Sequence, residues 1–272
     1  MKSKKWFAYP IYGILVTVLF LYVLFPSHRM AGYIESVVSE RNPKVNLSIG
    51  SADIAFPLGL NCENVVFWFT GEPESKIEAD LVTGRFSPFQ LLKGDTSLFV
   101  TVKAYGGTVD ARLNSPDRFS SGTIAADMTF DDIELSECTY LKDAAGRNIE
   151  GRLGGTLRYE GNVHDIINGK GNASFSLNDG TIGLQKAMFG FETLAFEKAE
   201  GKMILKKRVV ALDSLKVRGK EMTSSFSGRI YLNRKFAQSR LSLKGNVDIE
   251  ALGKNLSVSV RGTISKPLSN VR

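Results

Sequence analysis

From residue 6 to residue 25 the chain carries twenty consecutive uncharged positions, most of them strongly apolar. A helix of that length spans about 30 Å, which is the thickness of a bilayer's hydrocarbon core. Three lysines lie within residues 1–5, and the excess of positive charge on the cytoplasmic side of membrane segments predicts a cytoplasmic tip there. A cleaved signal peptide is the alternative, but Phe25–Ala31 lacks the small-residue pattern of a cleavage site. We therefore expect a single transmembrane anchor at 6–25, with the bulk of the chain across the membrane.

A short amphipathic pattern follows at residues 26–43. Polar side chains occupy one face of it, and apolar side chains recur with helical spacing at Met30, Ile34, Val37 and Val38. Asn42–Pro43 ends the pattern, because a residue before proline avoids helical geometry. Such a helix either lies on the membrane surface or caps the domain that follows, and capping is the more ordinary use.

Beyond Val45 the period of the apolar positions changes from 3.6 residues to 2. Strands with one apolar and one polar face are typical of antiparallel sheet, and glycine- and asparagine-rich turn signals separate them. Residues 44–272 are therefore expected to form a mainly β domain, a long, curved antiparallel sheet with a few short helices. The apolar positions of its clearest strands are the candidates for lining a groove: Ile124, Met128, Phe130, Phe175, Leu177, Leu241, Leu243, Val247, Ile249, Leu256, Val258 and Val260.

Three short segments interrupt the alternation. Ser87–Gly94 predicts a helix of one to two turns, because serine, proline and glycine occupy its cap positions. Gln185–Thr193 is a candidate for another short helix, and Ser136–Ala145 is ambiguous. More than half of the chain is therefore expected to be strand, well above the usual proportion.

A sheet with one apolar face must cover that face, and this chain has too few helical residues to do so. Two arrangements remain open. The sheet either folds onto itself as a closed sandwich or barrel with a dry core, or stays a curved trough whose apolar face holds something apolar. Glycines within the strands, such as Gly155 and Gly245, favour bends and strong coiling of the sheet, which either arrangement can use.

Composition narrows the class of protein. The formal net charge is +7 over 272 residues, and three of the positive charges belong to the N-terminal lysines. The remaining excess of positive charge is too small and too scattered along the chain for a nucleic-acid interface. With two histidines and two cysteines, most zinc sites and disulfide scaffolds are excluded. Cys62 and Cys138 could pair in an oxidising compartment, but two buried free thiols are at least as consistent with their strand-like surroundings.

Catalytic chemistry is hard to assemble from this sequence. His28 belongs to the membrane flank, and His164 lies in a turn-like stretch, where a solvated loop residue is the simpler interpretation. No nucleophile elbow, metalloprotease or phosphate-loop motif occurs. The acidic residues between Asp127 and Glu137 lack the ligand spacing of a calcium loop. We therefore expect no catalytic residues, no metal and no cofactor, and hence no enzyme.

Three regions of the chain resemble a known family of domains. A strand ends in Phe56–Leu60 and is followed by Glu63–Val65, which is similar to the opening of AsmA-like domains. Further along, Phe86–Gly94 precedes a strand and then Ala104–Val109, and there the chain resembles most closely the type II secretion system protein N family in its shorter bacterial form. The closing segment Val260–Pro267 is similar to the strand-then-proline ending that these domains share.

The resemblance implies a single-pass protein of the bacterial inner membrane with a periplasmic β-rich domain. It implies association with the type II, or general, secretion pathway, through contacts with the membrane and with other secretion components rather than through catalysis. The alternative that it implies is an AsmA-like lipid-binding or lipid-transfer module, whose hydrophobic β-groove holds the acyl chains of phospholipid. The family offers no catalytic residues to carry over.

Overall fold

The structure is a computed structural model that describes residues 26–56, 58–87, 96–116, 121–188, 191–220, 222–249 and 254–271, and before them positions 9, 12, 13, 16, 17, 20 and 24. Most of the expected anchor at 6–25 and most of the expected helix at Ser87–Gly94 lie outside the described residues. Within the part that is described, no helix is both long and apolar enough to cross a bilayer.

The domain is built from fourteen strands in one sheet. Their bounds are β1 Val45–Ala55, β2 Gly59–Phe69, β3 Glu72–Phe86, β4 Thr96–Ala104, β5 Gly107–Ser115, β6 Thr123–Glu134, β7 Arg152–Asn162, β8 Lys170–Met188, β9 Phe191–Lys206, β10 Val209–Arg218, β11 Met222–Tyr231, β12 Arg240–Ile249, β13 Lys254–Thr263 and β14 Pro267–Val271.

Each strand pairs antiparallel with the next strand along the chain, so the spatial order equals the sequence order and β1 and β14 form the two edges. This meander confirms the prediction of a mainly β, antiparallel domain. The described strands form a single sheet, not two stacked ones. Gln185–Thr193 belongs to the β8–β9 hairpin, with Met188 opposite Phe191, so the expectation of a helix there is wrong. Cross-strand pairing overrides local propensity at such positions.

Helix α1 (Ser27–Arg41) covers the β1 edge and runs antiparallel to that strand. Near its start the Ser27 hydroxyl donates to Asp53 Oδ1 at 2.5 Å. Two turns later, Glu35 Oε1 accepts a hydrogen bond of 2.6 Å from the Ile49 N–H. Between these contacts, buried Ala31 packs with Ile49, and Met30 and Ile34 pack around them. The helix therefore accepts a backbone hydrogen bond from β1 and shields this edge strand, which would otherwise be free to pair with another chain.

Because Ala31 is 5% exposed, we expect Ala31→Asp to detach α1 from β1. A carboxylate at this position loses its hydration without gaining a partner, which costs about 2–4 kcal/mol. Faster amide hydrogen exchange throughout β1 would report the detachment in the full chain. Gly32→Asp is the matched control, because nothing lies within 4 Å of that position, and it should leave exchange in β1 unchanged. Equal exchange in the two variants would contradict the packing of α1.

Between β6 and β7 a short insertion holds a 3₁₀ turn at Leu135–Glu137 and helix α2 (Thr139–Ala145), which resolves the ambiguous segment. On one side the Ser75 hydroxyl of β3 donates to Asp143 Oδ2 at 2.5 Å. On the other side Arg147 Nη2 donates to the Ile264 carbonyl, between β13 and β14, at 3.3 Å. Strands far apart in the sheet order therefore come within reach of one insertion. Accumulated twist, about 20–25° per strand, reorients distant strands in this way.

Buried side chains in the described part of this sheet form three small clusters. One forms around Ile49, Ala52 and Cys62 under α1, a second around Leu177 and Phe196, and a third joins β11, β12 and β13. The largest fully buried side chain among the described residues is a serine, Ser239. Several large apolar side chains of the sheet, such as Phe99 and Ile204, are exposed and lie outside these clusters.

Candidate functional site: the apolar face of the sheet

Residues directly opposite each other in an antiparallel pair project from the same face of the sheet. Following these pairs from β1 to β14 therefore traces a row of side chains across one face. The central row is apolar or glycine at every strand: Ala52, Cys62, Val82, Val102, Val109, Phe130, Gly155, Phe175, Gly201, Leu215, Phe226, Gly245, Val258 and Val271.

A second row on the same face runs parallel to the first and also crosses every strand. It is apolar until its last member, a serine: Ile54, Leu60, Gly84, Val100, Ala111, Met128, Leu157, Ala173, Met203, Leu212, Gly228, Leu243, Val260 and Ser269. We call the surface defined by these two rows and the apolar positions flanking them the apolar face.

The opposite face is polar. One row there, from β1 to β9, reads Asp53, Asn61, Thr83, Thr101, Asp110, Thr129, Thr156, Ser174 and Lys202. Its members bond to one another across the strands, as Thr101 does by donating to Asp110 Oδ1 at 2.6 Å. Ion pairs such as Arg158–Asp127, at 3.0 Å, lie on this face as well. The two faces therefore present opposite chemistry along the length of the sheet.

The structure places all twelve predicted groove-lining residues on the apolar face. Four of them, Leu177, Val247, Ile249 and Val258, are buried. The other eight are half-buried: Ile124, Met128, Phe130, Phe175, Leu241, Leu243, Leu256 and Val260. None of these eight is sealed from solvent, although each lies in a row of apolar neighbours.

Sequence reasoning named residues of this face in β6, β8, β12 and β13 and missed the contribution of the other ten strands. In β4, Leu98, Val100 and Val102 have the spacing of two, but Phe99 lies between the first two of them and breaks the alternation with polar residues. In β10 the alternation is hidden, because a bulge shifts the register between Leu212 and Leu215. The apolar positions therefore change phase along the strand, which a fixed period of two does not detect.

Aromatic rings lie over glycines on the apolar face. Gly201 is opposite Phe175 and Gly245 is opposite Phe226, and a β-carbon added to either glycine would collide with that ring. Phe196 covers Gly180 in the same way. Covering a strand glycine with a cross-strand aromatic ring restores the packing that the glycine lacks. The rings of Phe175 and Phe226 therefore lie flat against the sheet and are half-buried, whereas Phe196 is also packed by Leu135 and Ile149.

A cleft of about 590 Å³ opens beside the long β8–β9 hairpin, and Leu194, Phe196, Met222 and Ile249 line it together with polar residues. Clefts of this volume accommodate small ligands. Ile249 belongs to the apolar face, so the cleft adjoins the surface formed by the rows.

Chemically reactive side chains are sparse in the described part of the chain. Cys62 and Cys138 are both free thiols. Burial, with a smaller contribution from the Asp53 carboxylate, raises the pKa of the Cys62 thiol. Burial also raises the pKa of Tyr105 to about 12, although the Glu78 N–H donates to its oxygen. Both groups are therefore uncharged at neutral pH.

His164 is exposed in the turn after β7, where its N–H donates to Asn162 Oδ1 at 2.9 Å. The side chain of His28 is outside the described residues. Among the described residues no three histidine, cysteine or acidic side chains are grouped so that they could hold a metal ion. What this arrangement offers is an extended apolar surface for binding. No protein family, no curated protein and no solved structure matches this chain.

Proposed function

We propose that the chain is anchored in the bacterial inner membrane by residues 6–25 and binds the acyl chains of phospholipids on the apolar face of its periplasmic sheet. The observation that carries this proposal is the pair of parallel rows on one face, both made of apolar residues and glycines from β1 to β13 and continued in β14 by Val271 and Ser269. Each acyl methylene removed from water there contributes about 0.8 kcal/mol. A dozen methylenes therefore supply enough free energy for stable binding, even after the cost of ordering the lipid.

The length of the rows favours a chain-like ligand. Neighbouring strands lie about 4.8 Å apart, so a row that crosses fourteen strands follows a path of about 60 Å. That is twice the thickness of a bilayer's hydrocarbon core, about 30 Å. A surface that is long, apolar and uniform suits flexible alkyl chains better than a compact ligand, which needs convergent polar groups for its orientation.

A second candidate function is docking to other components of the type II secretion machinery, and the β14 edge favours it. This strand carries no charged residue between Pro267 and Val271, and its Leu268 side chain is exposed. Charged side chains commonly protect edge strands from pairing, so an uncharged edge is suited to the addition of a partner's strand.

Photo-crosslinking in cells tests the two candidates with the full chain. A photoreactive residue at Met203 lies on the apolar face, and one at its neighbour Lys202 lies on the polar face. We expect phospholipid adducts at position 203 and none at 202. Absence of lipid adducts at both positions would contradict lipid binding. Protein adducts to a probe at Leu268 would support the secretion role.

A further inference from the structure

The turn between β1 and β2 exposes large apolar side chains. Phe56 is 74% exposed and Leu58 is 48% exposed, and beside them Phe86, the last residue of β3, is 39% exposed. We call these three residues the β1–β2 tip. Singly exposed apolar side chains are common on protein surfaces, but a cluster indicates an interaction site.

The backbone holds this tip in place. Ala55, immediately before it, is 3% exposed. The Phe86 N–H donates to the Leu58 carbonyl at 2.9 Å, which ties the turn to the end of β3. A β-carbon on Gly59 would meet the Gly84 carbonyl oxygen at 2.5 Å, so the base of the turn lies tightly against that strand. The apolar side chains are therefore presented by a fixed turn.

The position of the tip follows from the antiparallel contact between α1 and β1. Glu35 bonds to Ile49 and Ser27 bonds to Asp53, so β1 runs back along α1 towards its first residue. From Asp53 the strand continues three residues to Phe56, about 10 Å at the usual rise per residue. The tip therefore lies beyond the first residue of α1, at the end of the helix that follows residues 6–25 in the sequence.

We propose that the β1–β2 tip inserts into the interfacial layer of the membrane in which residues 6–25 are anchored. This inference rests on the anchor in the proposed function. Arg85, next to Phe86, and Arg29, in the first turn of α1, are exposed, and their guanidinium groups can pair with the phosphates of phospholipid headgroups.

The tip also connects the membrane to the apolar face. Ile54 and Leu60, which begin the second row, lie two residues before Phe56 and two residues after Leu58. Insertion of the tip therefore brings the start of the second row close to the bilayer surface, beside the part of the central row that α1 covers. An acyl chain then has a short path from the bilayer to the apolar face.

Fluorescence of the full chain in vesicles of phosphatidylethanolamine and phosphatidylglycerol tests this inference. An environment-sensitive fluorophore is attached to Phe56→Cys, in a chain that also carries Cys62→Ala and Cys138→Ser. Phe236→Cys is the matched control, because Phe236 is an exposed phenylalanine in another strand connection. We expect blue-shifted emission and quenching by brominated lipid at position 56 and aqueous emission at 236. Leu58→Cys repeats the test if the first variant does not fold.

Three results would overturn the inference, and they separate it from the proposed function. A chain that floats with the vesicles but shows aqueous emission at position 56 leaves the anchor intact and refutes insertion of the tip. Blue-shifted emission without quenching by brominated lipid means that protein covers the tip, which also refutes insertion. A chain that does not float with the vesicles refutes the anchor and the inference together.

Discussion

Leu243→Asp is expected to abolish lipid binding while the sheet remains folded, and Val258→Asp is expected to unfold the C-terminal strands. Both residues lie on the apolar face, in adjacent rows. Leu243 is half-buried and belongs to none of the three buried clusters, so a carboxylate there keeps part of its hydration. Val258 is 4% exposed and packs in the cluster with Val247 and Ile249. Burying an unpaired charge at that position costs at least about 4 kcal/mol.

Two measurements on the full chain separate these effects. Urea midpoints report stability, and phospholipid adducts to the photoreactive probe at position 203 report binding on the same row as Leu243. Ser242→Asp and Ser257→Asp are the matched controls, because both serines are exposed on the polar face. Unfolding by Leu243→Asp as severe as that by Val258→Asp would mean that a second layer covers the apolar face. An unchanged adduct yield in folded Leu243→Asp would place the lipid elsewhere.

The alternation of apolar and polar residues was sufficient to predict the sheet and its apolar face. In β6, β8, β12 and β13 the predicted apolar residues are separated by two or four positions, so they share one face of each strand whatever the pairing of the strands. Sequential hairpins then need only short turns, which explains why spatial order follows sequence order. Period and turn chemistry are local properties, and local properties are what a single sequence displays.

The features that a single sequence did not reveal depend on distant residues. Nothing near Ala31 indicated that it, as well as Met30, would pack into the cluster under α1. Likewise, Arg147 reaches the carbonyl of Ile264 across 117 positions of the chain. The position of the β1–β2 tip relative to the anchor depends on the antiparallel packing of α1, and neither segment displays that packing by itself.

The pairing of aromatic rings with glycines gives the second large effect. We expect Gly201→Ala to destabilise the domain by about 1–3 kcal/mol, because the new methyl group occupies the place of the Phe175 ring and forces it off the sheet. In most contexts a glycine-to-alanine change in a regular element is neutral or stabilising, since it reduces the entropy of the unfolded chain. The predicted sign is therefore opposite to the ordinary one.

A double-mutant cycle assigns this cost to the ring. Phe175→Ala alone loses apolar contact, but in combination with Gly201→Ala it removes the collision, so the double variant should be more stable than the sum of the single effects predicts, by about 0.5–3 kcal/mol. Gly84→Ala is the matched control on the same face, because its nearest neighbour would be Leu98 Cδ1 at an ordinary 3.8 Å. Urea midpoints of the full chain measure all four variants. Additive effects within the cycle would show that the Phe175 ring does not lie over Gly201. The ring would then project from the apolar face.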